Sequence, residues 1–223
     1  MTAAALPARP DAALFDAVLF DMDGTLVDST PSVVRCWLRL AEENGITPEA
    51  LQAAAGHGRP ARDIVADLFE PPAREAALVR ITHLEVTDLE GVVALPGAAD
   101  ALLASGDRGA IVTSCTAPLA TARQQAAGIP VPAVVVTADD VVRGKPDPEP
   151  FLTAARILGV DPSRCLVVED APAGLAAGRA AGMTTLAVTT THTAEELDAD
   201  HVVGDLSGVR LDPSGDGVRL HLV

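Results

Sequence analysis

Two carboxylates, Asp21 and Asp23, follow the apolar run Ala17–Phe20 and are separated by a single residue. An apolar run of this kind is typical of a buried parallel strand, so we expect Asp21 at the strand's carboxyl end, where open α/β sheets bind ligands. Residues two apart on an extended segment share a face, so the two acids would repel each other without a cation or a shared proton. Such a pair could supply one carboxylate that attacks and one that moves a proton, assisted by Mg²⁺.

Other polar residues occur where further strands are predicted to end. Thr113 and Ser114 follow one short apolar run, Glu169 and Asp170 follow another, and Lys145 lies in a Gly-Lys-Pro loop. The carboxyl ends of parallel strands meet at one edge of a sheet, so we expect these side chains to converge. Carboxylate oxygens suit Mg²⁺. The set as a whole suits phosphoryl transfer by positioning and charge neutralisation.

The elements that must position these residues are of two kinds. From residue 96 onward, short strands alternate with helices, which predicts a three-layer α/β core with a mainly parallel, Rossmann-like sheet. Between 31 and 95 helical spacing dominates and predicts a small all-helical domain inserted after the first strand. We expect a loose tail over 1–14 and a terminal edge strand over 217–223.

Composition excludes several classes of function. The 223 residues carry a net charge of −15 without a basic cluster, which argues against nucleic-acid and anionic membrane partners. No apolar run is long enough to span a membrane, and no feature implies a protein partner. The three cysteines are far apart and form no CxxC pair, so neither a disulfide framework nor a structural zinc site is predicted. A reducing, cytoplasmic location fits this pattern best.

Four motifs in order resemble those of the haloacid dehalogenase-like (HAD) superfamily, and the similarity extends over essentially the whole chain. They are Asp-Met-Asp-Gly-Thr at 21–25, Thr-Ser at 113–114, Lys-Pro at 145–146 and Glu-Asp at 169–170. The helical insert resembles the C1-type cap of that superfamily. The resemblance therefore implies a catalytic core made of residues 1–30 and 96–223 and a cap made of residues 31–95.

The resemblance implies a role for each matched residue. Asp21 would attack phosphorus and form an aspartyl-phosphate, and Asp23 would protonate the leaving alkoxide and then deprotonate water. Thr113, with the Ser114 amide, would hold the phosphoryl group, and Lys145 would neutralise its charge.

The resemblance also implies a Mg²⁺ site. Its ligands would be Asp21, the Asp23 carbonyl and Asp170, with Glu169 acting directly or through water.

Stretches outside the motifs are similar to small-sugar and polyol phosphatases, including those for glycerol phosphate and 2-deoxyglucose 6-phosphate. Among them is the stretch from His57 to Asp63, where His57, Gly58 and Arg59 would contact a small phosphorylated metabolite; the alternative is a solvated loop. Cys115 stands where these relatives often have glycine, and we interpret it as a packing residue.

Two rival functions stay open. A sugar phosphomutase of the β-phosphoglucomutase type would use the same aspartates but return the phosphoryl group to a sugar. A non-catalytic sensor of phosphorylated ligands would use the same fold without turnover. The resemblance implies a Mg²⁺-dependent phosphatase that hydrolyses small phosphorylated sugars or polyols, and net release of phosphate in the presence of Mg²⁺ distinguishes it from both rivals.

Overall fold

A computed structural model describes residues 13–54 and 61–223 of the chain. The strands of these residues are β1 Leu14–Phe15, β2 Ala17–Phe20, β3 Val27–Asp28, β4 Val93–Ala94, β5 Gly109–Val112, β6 Val134–Val136, β7 Cys165–Glu169, β8 Thr184–Val188, β9 His201–Val203, β10 Val209–Ser214 and β11 Gly217–Leu222. The α-helices are α1 Thr30–Asn44, α2 Pro48–Ala54, α3 Ala61–Leu68, α4 Pro71–Thr87, α5 Ala98–Ser105, α6 Ala117–Ala127, α7 Glu149–Leu158 and α8 Pro172–Ala180.

The centre of the fold is a six-stranded parallel sheet with the order β6-β5-β2-β7-β8-β9. The chain runs outward from β2 through β5 to β6 and then returns to the other side of β2 at β7. The strand order therefore reverses between β2 and β7, and open α/β sheets bind ligands at such a reversal. The predicted α/β class with a mainly parallel sheet is confirmed.

Alternating side chains of β2 enter separate hydrophobic cores on the two faces of the sheet. Val18 and Phe20 belong to one cluster, and Ala17 and Leu19 belong to the other. All four residues are fully buried. Burial on both faces explains why this strand appears in the sequence as a continuous apolar run.

Helices α1 to α4 pack around a hydrophobic cluster of their own. Its largest members include Trp37, Leu40, Leu51 and Ile81. The helical spacing of this region does not reveal β4, which pairs antiparallel with β3. Two-residue strands carry almost no periodic signal, and this pairing depends on residues some 65 positions apart. We propose that the four helices form a cap domain over residues 31–95.

The C-terminal strand has a different place from the one predicted. β11 is the central strand of a separate antiparallel sheet with the order β1-β11-β10. The tail predicted over 1–14 is wrong at Leu14, which begins β1. Pro213 lies in β10, which pairs on one side only, and a proline is tolerated on such an edge strand.

Over the described ranges, no helix has both the length and the apolar character needed to cross a membrane.

Candidate active site

Lys145 joins two carboxylates at the carboxyl edge of the parallel sheet. Its Nζ donates hydrogen bonds to Asp21 Oδ1 at 2.5 Å, to Glu169 Oε1 at 2.7 Å and to the Val112 carbonyl at 2.8 Å. Burial opposes the charge of this ammonium, but attraction to Asp21 and Glu169 outweighs it and raises the pKa of Lys145. Lys145 is therefore charged, and all three of its N–H groups have an acceptor.

Three carboxylates cluster where β2 and β7 end. Asp21, Glu169 and Asp170 are buried, and each offers an oxygen within 4.8 Å of the oxygens of the other two. Burial, reinforced by repulsion from Glu169, raises the pKa of Asp170 to about 7. Burial also raises the pKa of Asp21. Attraction to Lys145 opposes this shift, and repulsion from the neighbouring acids adds to it. A single lysine does not balance three buried acids, so their chemistry fits an additional divalent cation.

Asp170 is held by hydroxyl groups from two loops. Thr25 Oγ1 donates to Asp170 Oδ1 at 3.1 Å, and Thr191 Oγ1 donates to Asp170 Oδ2. Gly24 passes beside this carboxylate with a φ of +88°, and a Cβ at position 24 would collide with Asp170 Oδ2. The glycine after the aspartate pair is therefore required both by its backbone conformation and by the nearby acid.

Glu169 is anchored by the backbone as well as by Lys145. Its Oε2 accepts hydrogen bonds from the amides of Asp170 at 3.0 Å and Ala171 at 3.1 Å. Gly174, in the first turn of α8, leaves room for this carboxylate, because a Cβ there would overlap Glu169 Oε1. These contacts orient the Glu169 oxygen that Lys145 binds.

Asp23 is not part of the three-carboxylate cluster, and both of its oxygens accept hydrogen bonds from other residues. Ser29 Oγ donates to Asp23 Oδ1 at 2.6 Å. Cys115 Sγ donates to Oδ2 at 3.0 Å, and Arg123 Nη1 lies 2.9 Å from the same oxygen. The Asp23 side chain keeps 26% of its surface exposed, against 11% for Asp21. The two aspartates therefore share an edge of the sheet but have separate partners.

A cavity of about 750 Å³ extends from these acids to the helical insert. Thr113 and Ser114, at the end of β5, line its floor beside the aspartates and Lys145. Thr113 is buried and its Oγ1 accepts the Cys115 amide at 3.1 Å, whereas Ser114 is exposed. The insert contributes an apolar wall that includes Trp37 and Leu51. The cavity is of the size that small-molecule sites commonly have.

The structure thus brings Asp21, Asp23, Thr113, Ser114, Lys145, Glu169 and Asp170 to one cavity. His57, Gly58 and Arg59 lie outside the described residues.

Sequence reasoning missed two residues of this region, Arg123 and Glu85. Arg123 lies on the buried face of α6, and Glu85 lies on the buried face of α4. The sequence does carry a signal for both residues, because each is charged and occupies a position where helical spacing predicts an apolar residue. Cys115, interpreted from sequence as packing, is buried but also donates to Asp23.

Known proteins resemble this chain in sequence and in structure. The family model described as haloacid dehalogenase-like hydrolase matches residues 15–182. Hexitol phosphatase A of Escherichia coli (strain K12) is 44% identical over 209 residues, which cover 89% of this chain and 95% of that protein. Glycerol-1-phosphate phosphohydrolase 2 of Saccharomyces cerevisiae (strain ATCC 204508 / S288c) is 31% identical over 224 residues, covering 92% of this chain and 88% of that protein.

The structural similarity agrees with the sequence matches. The crystal structure of a hydrolase from Pseudomonas syringae superposes with a TM-score of 0.74 at 28% identity, covering 86% of this chain and 94% of that chain. The resemblance drawn from the four motifs is confirmed, because the family model spans most of the chain and includes all four. The chain belongs to the haloacid dehalogenase-like hydrolase family.

Proposed function

We propose that the protein is a Mg²⁺-dependent phosphatase that hydrolyses small phosphorylated sugars or polyols through an aspartyl-phosphate. The observation that carries this proposal is the buried pairing of Asp21 with Lys145 beside Glu169 and Asp170, at the floor of a cavity. A nucleophile, a charge-neutralising lysine and a set of hard oxygen ligands are what phosphoryl transfer requires.

In the first step, an Asp21 carboxylate oxygen bonds to phosphorus and the bond from phosphorus to the ester oxygen breaks. The electron pair of that bond leaves on the ester oxygen, which takes the proton of the Asp23 carboxyl group and departs as an alcohol. Lys145 offsets the negative charge that Asp21 and the phosphoryl oxygens share. Thr113 and the Ser114 amide bind the phosphoryl oxygens and hold phosphorus in line with Asp21.

In the second step, the Asp23 carboxylate takes a proton from water. The water oxygen bonds to phosphorus, and the bond from phosphorus to Asp21 breaks. Asp21 regains its electron pair as a free carboxylate, and inorganic phosphate leaves. Asp23 holds the proton that the next substrate needs, so the cycle closes without net change in the protein.

The metal would be held by Asp21, Asp170 and the Asp23 carbonyl. Glu169 would bind it directly or through a water molecule. Bound there, Mg²⁺ supplies positive charge that screens the phosphoryl oxygens and the clustered acids. Support for a cation comes from the acids themselves, since Asp170 is held in place by two hydroxyls and yet has a pKa raised by burial and repulsion.

The substrate class is supported by the relatives and by the cavity. Hexitol phosphatase A and glycerol-1-phosphate phosphohydrolase 2 are named for polyol phosphates, and each aligns over nearly its full length. Polar side chains of the insert, including Gln52 and Thr82, line the same cavity as the acids. Hydroxyl and amide groups of this kind could pair with sugar or polyol hydroxyls.

The test is phosphate release from a panel of sugar, polyol and nucleotide monophosphates, with Mg²⁺ or with EDTA. We expect Mg²⁺-dependent release, greatest for sugar or polyol esters. Asp21→Asn should lower turnover by roughly a thousandfold or more, because the amide is not a nucleophile. The fold should persist, because Asn can still accept from Lys145. Asp107→Asn, at an exposed carboxylate, is the matched control.

Outcomes of this assay separate the rival functions. An active Asp21→Asn variant would exclude the proposed nucleophile. Interconversion of glucose 1-phosphate and glucose 6-phosphate without net phosphate release would indicate a mutase. Binding of phosphorylated ligands without turnover of any ester would indicate a sensor.

We also propose a reducing, cytoplasmic location. Its support is that Cys36, Cys115 and Cys165 are all free and buried, and that the chain depends on none of them for a disulfide.

A further inference from the structure

Arg123 is buried where α6 meets the helical insert, and it contacts three functional groups there. Only 4% of its side chain is exposed. Its Nη1 lies 2.9 Å from Asp23 Oδ2 and donates to Cys115 Sγ at 3.2 Å, and its Nη2 donates to Glu85 Oε1 at 3.4 Å. Its Nε has no hydrogen-bond partner among the described residues. Removing a guanidinium from water costs several kcal/mol, so this position is tolerated only because of its carboxylate partners.

The contacts of Arg123 bear directly on the orientation of Asp23. Arg123 and the Cys115 thiol bind one oxygen of the Asp23 carboxylate, while Ser29 donates to the other. A carboxylate bound on both oxygens cannot turn freely about its last side-chain torsion. The guanidinium is a planar fork with fixed donor directions, so it holds that carboxylate plane more strictly than an ammonium would.

Glu85 provides the second anchor of Arg123. It lies on α4 of the helical insert, and its side chain is 10% exposed. Burial raises the pKa of the Glu85 carboxyl, while Arg123 opposes that shift. The chain of contacts therefore runs from the insert through Arg123 to Asp23, and neither Glu85 nor Arg123 belongs to the four motifs.

We propose that Arg123 is a positioning residue that orients the Asp23 carboxyl group for proton transfer, and that Glu85 holds Arg123 in that orientation when the insert packs on the core. The inference rests on the proposed role of Asp23 in proton transfer. It adds two residues to the reaction and links the packing of the insert to the geometry of the acid.

The leaving group of the substrate provides the test. An alkoxide leaves poorly unless it is protonated, whereas p-nitrophenolate leaves as a stable anion without a proton. Misplacing Asp23 should therefore slow alkyl phosphates more than p-nitrophenyl phosphate. The parameter to compare is kcat/KM, because it covers the steps up to loss of the alcohol or phenol and excludes the later attack by water.

We expect Arg123→Lys to lower kcat/KM for a hexitol phosphate by about tenfold to a hundredfold. For p-nitrophenyl phosphate the fall should be less than about threefold, because proton transfer contributes little there. Glu85→Gln, which keeps the side-chain volume and an acceptor oxygen, should shift the alkyl-to-aryl ratio in the same direction by a smaller factor. If Arg123→Lys does not fold, Glu85→Gln carries the test.

An unchanged alkyl-to-aryl ratio in the folded variants would overturn the proposal, including the case in which both esters slow equally. The control is Arg80→Lys, because Arg80 is likewise an arginine paired with a glutamate of the helical insert, Glu43 of α1, but is partly exposed and lies outside the cavity. It should leave both substrates unchanged. Failure of the proposed function is a separate result, because wild-type protein would then release phosphate from neither ester.

Discussion

At the scale of single residues, Lys145 is a buried positive charge in the candidate active site. Its ammonium is removed from water and surrounded by two carboxylates and a carbonyl, while Phe151 lies beneath it with its ring centre 5.0 Å from Nζ. Buried ion pairs of this kind seldom add net stability, because desolvation opposes the attraction. Perturbed buried charges that converge on a cavity are instead typical of functional sites.

A prediction at the scale of single residues concerns metal binding by Asp170. Replacing Asp170 with Asn should abolish the rise in Tm that Mg²⁺ produces in the wild type. The Tm without metal should not fall, because the substitution removes a repelling charge and the amide can still pair with Thr25 and Thr191. Thermal unfolding of both proteins with Mg²⁺ and with EDTA is the measurement.

The control for that experiment is Asp212→Asn, at a partly exposed carboxylate in the C-terminal sheet. It should keep the Mg²⁺-dependent rise in full. An equal rise in the Asp170→Asn protein would mean that Asp170 is not a metal ligand.

At the scale of elements, the first turn of α8 accommodates the Glu169 carboxylate. Glu169 ends β7, accepts two backbone amides ahead of the helix and fits against Gly174 in the first turn. Helix amino termini favour negative charge, so the helix helps to place the carboxylate that Lys145 binds.

Gly174→Ala should therefore damage the site through Glu169. The added methyl group overlaps Glu169 Oε1, and overpacking of this kind costs about 1–3 kcal/mol in the free energy of unfolding. Displacing Glu169 also loosens Lys145, so we expect kcat to fall by roughly tenfold or more. Denaturant unfolding and phosphate release measure the two effects.

Gly204→Ala is the matched control, because a Cβ at position 204 meets no atom within 4 Å. If the Gly174→Ala protein kept the stability and the kcat of the wild type, the proposed fit of Glu169 against the first turn of α8 would be wrong.

At the scale of the whole molecule, the C-terminal sheet is part of the main core. Val218 and Leu220 of β11 are buried and belong to the same hydrophobic cluster as Phe20 and Leu166 of the parallel sheet. β11 is also the strand through which β1 and β10 are joined.

Deleting residues 217–223 should therefore destabilise the entire core. Removing two buried apolar side chains costs about 2–5 kcal/mol for each. Strands β1 and β10 would also lose their hydrogen-bond partner, which exposes edges that promote aggregation. We expect a lower Tm and loss of soluble protein, measured by thermal unfolding and light scattering.

Deletion of Val223 alone is the control, because this residue is 86% exposed. Its backbone amide donates one hydrogen bond, to Gly208, so only a small change is expected. A truncated protein lacking 217–223 with the wild-type Tm would show that the C-terminal sheet is dispensable.

Much of the core could be predicted because its signals are local. The alternation of short strands and helices predicted from residue 96 onward is present, as in the helix Ala98–Ser105 and the strand Thr184–Val188, since apolar runs and helical spacing are properties of neighbouring residues. β10 was missed because a proline and charged residues interrupt its alternation, and β4 because it has only two residues. Such strands exist only through their partners.

The sequence by itself determined that Asp21, Thr113 and Glu169 would meet, because each ends a strand and parallel strands end at one edge. Only the tertiary structure decided that Arg123 binds Asp23 and that Glu85 binds Arg123. A charge on the apolar face of a helix indicates that a partner exists, but the partner's identity depends on how two helices from distant parts of the chain pack together.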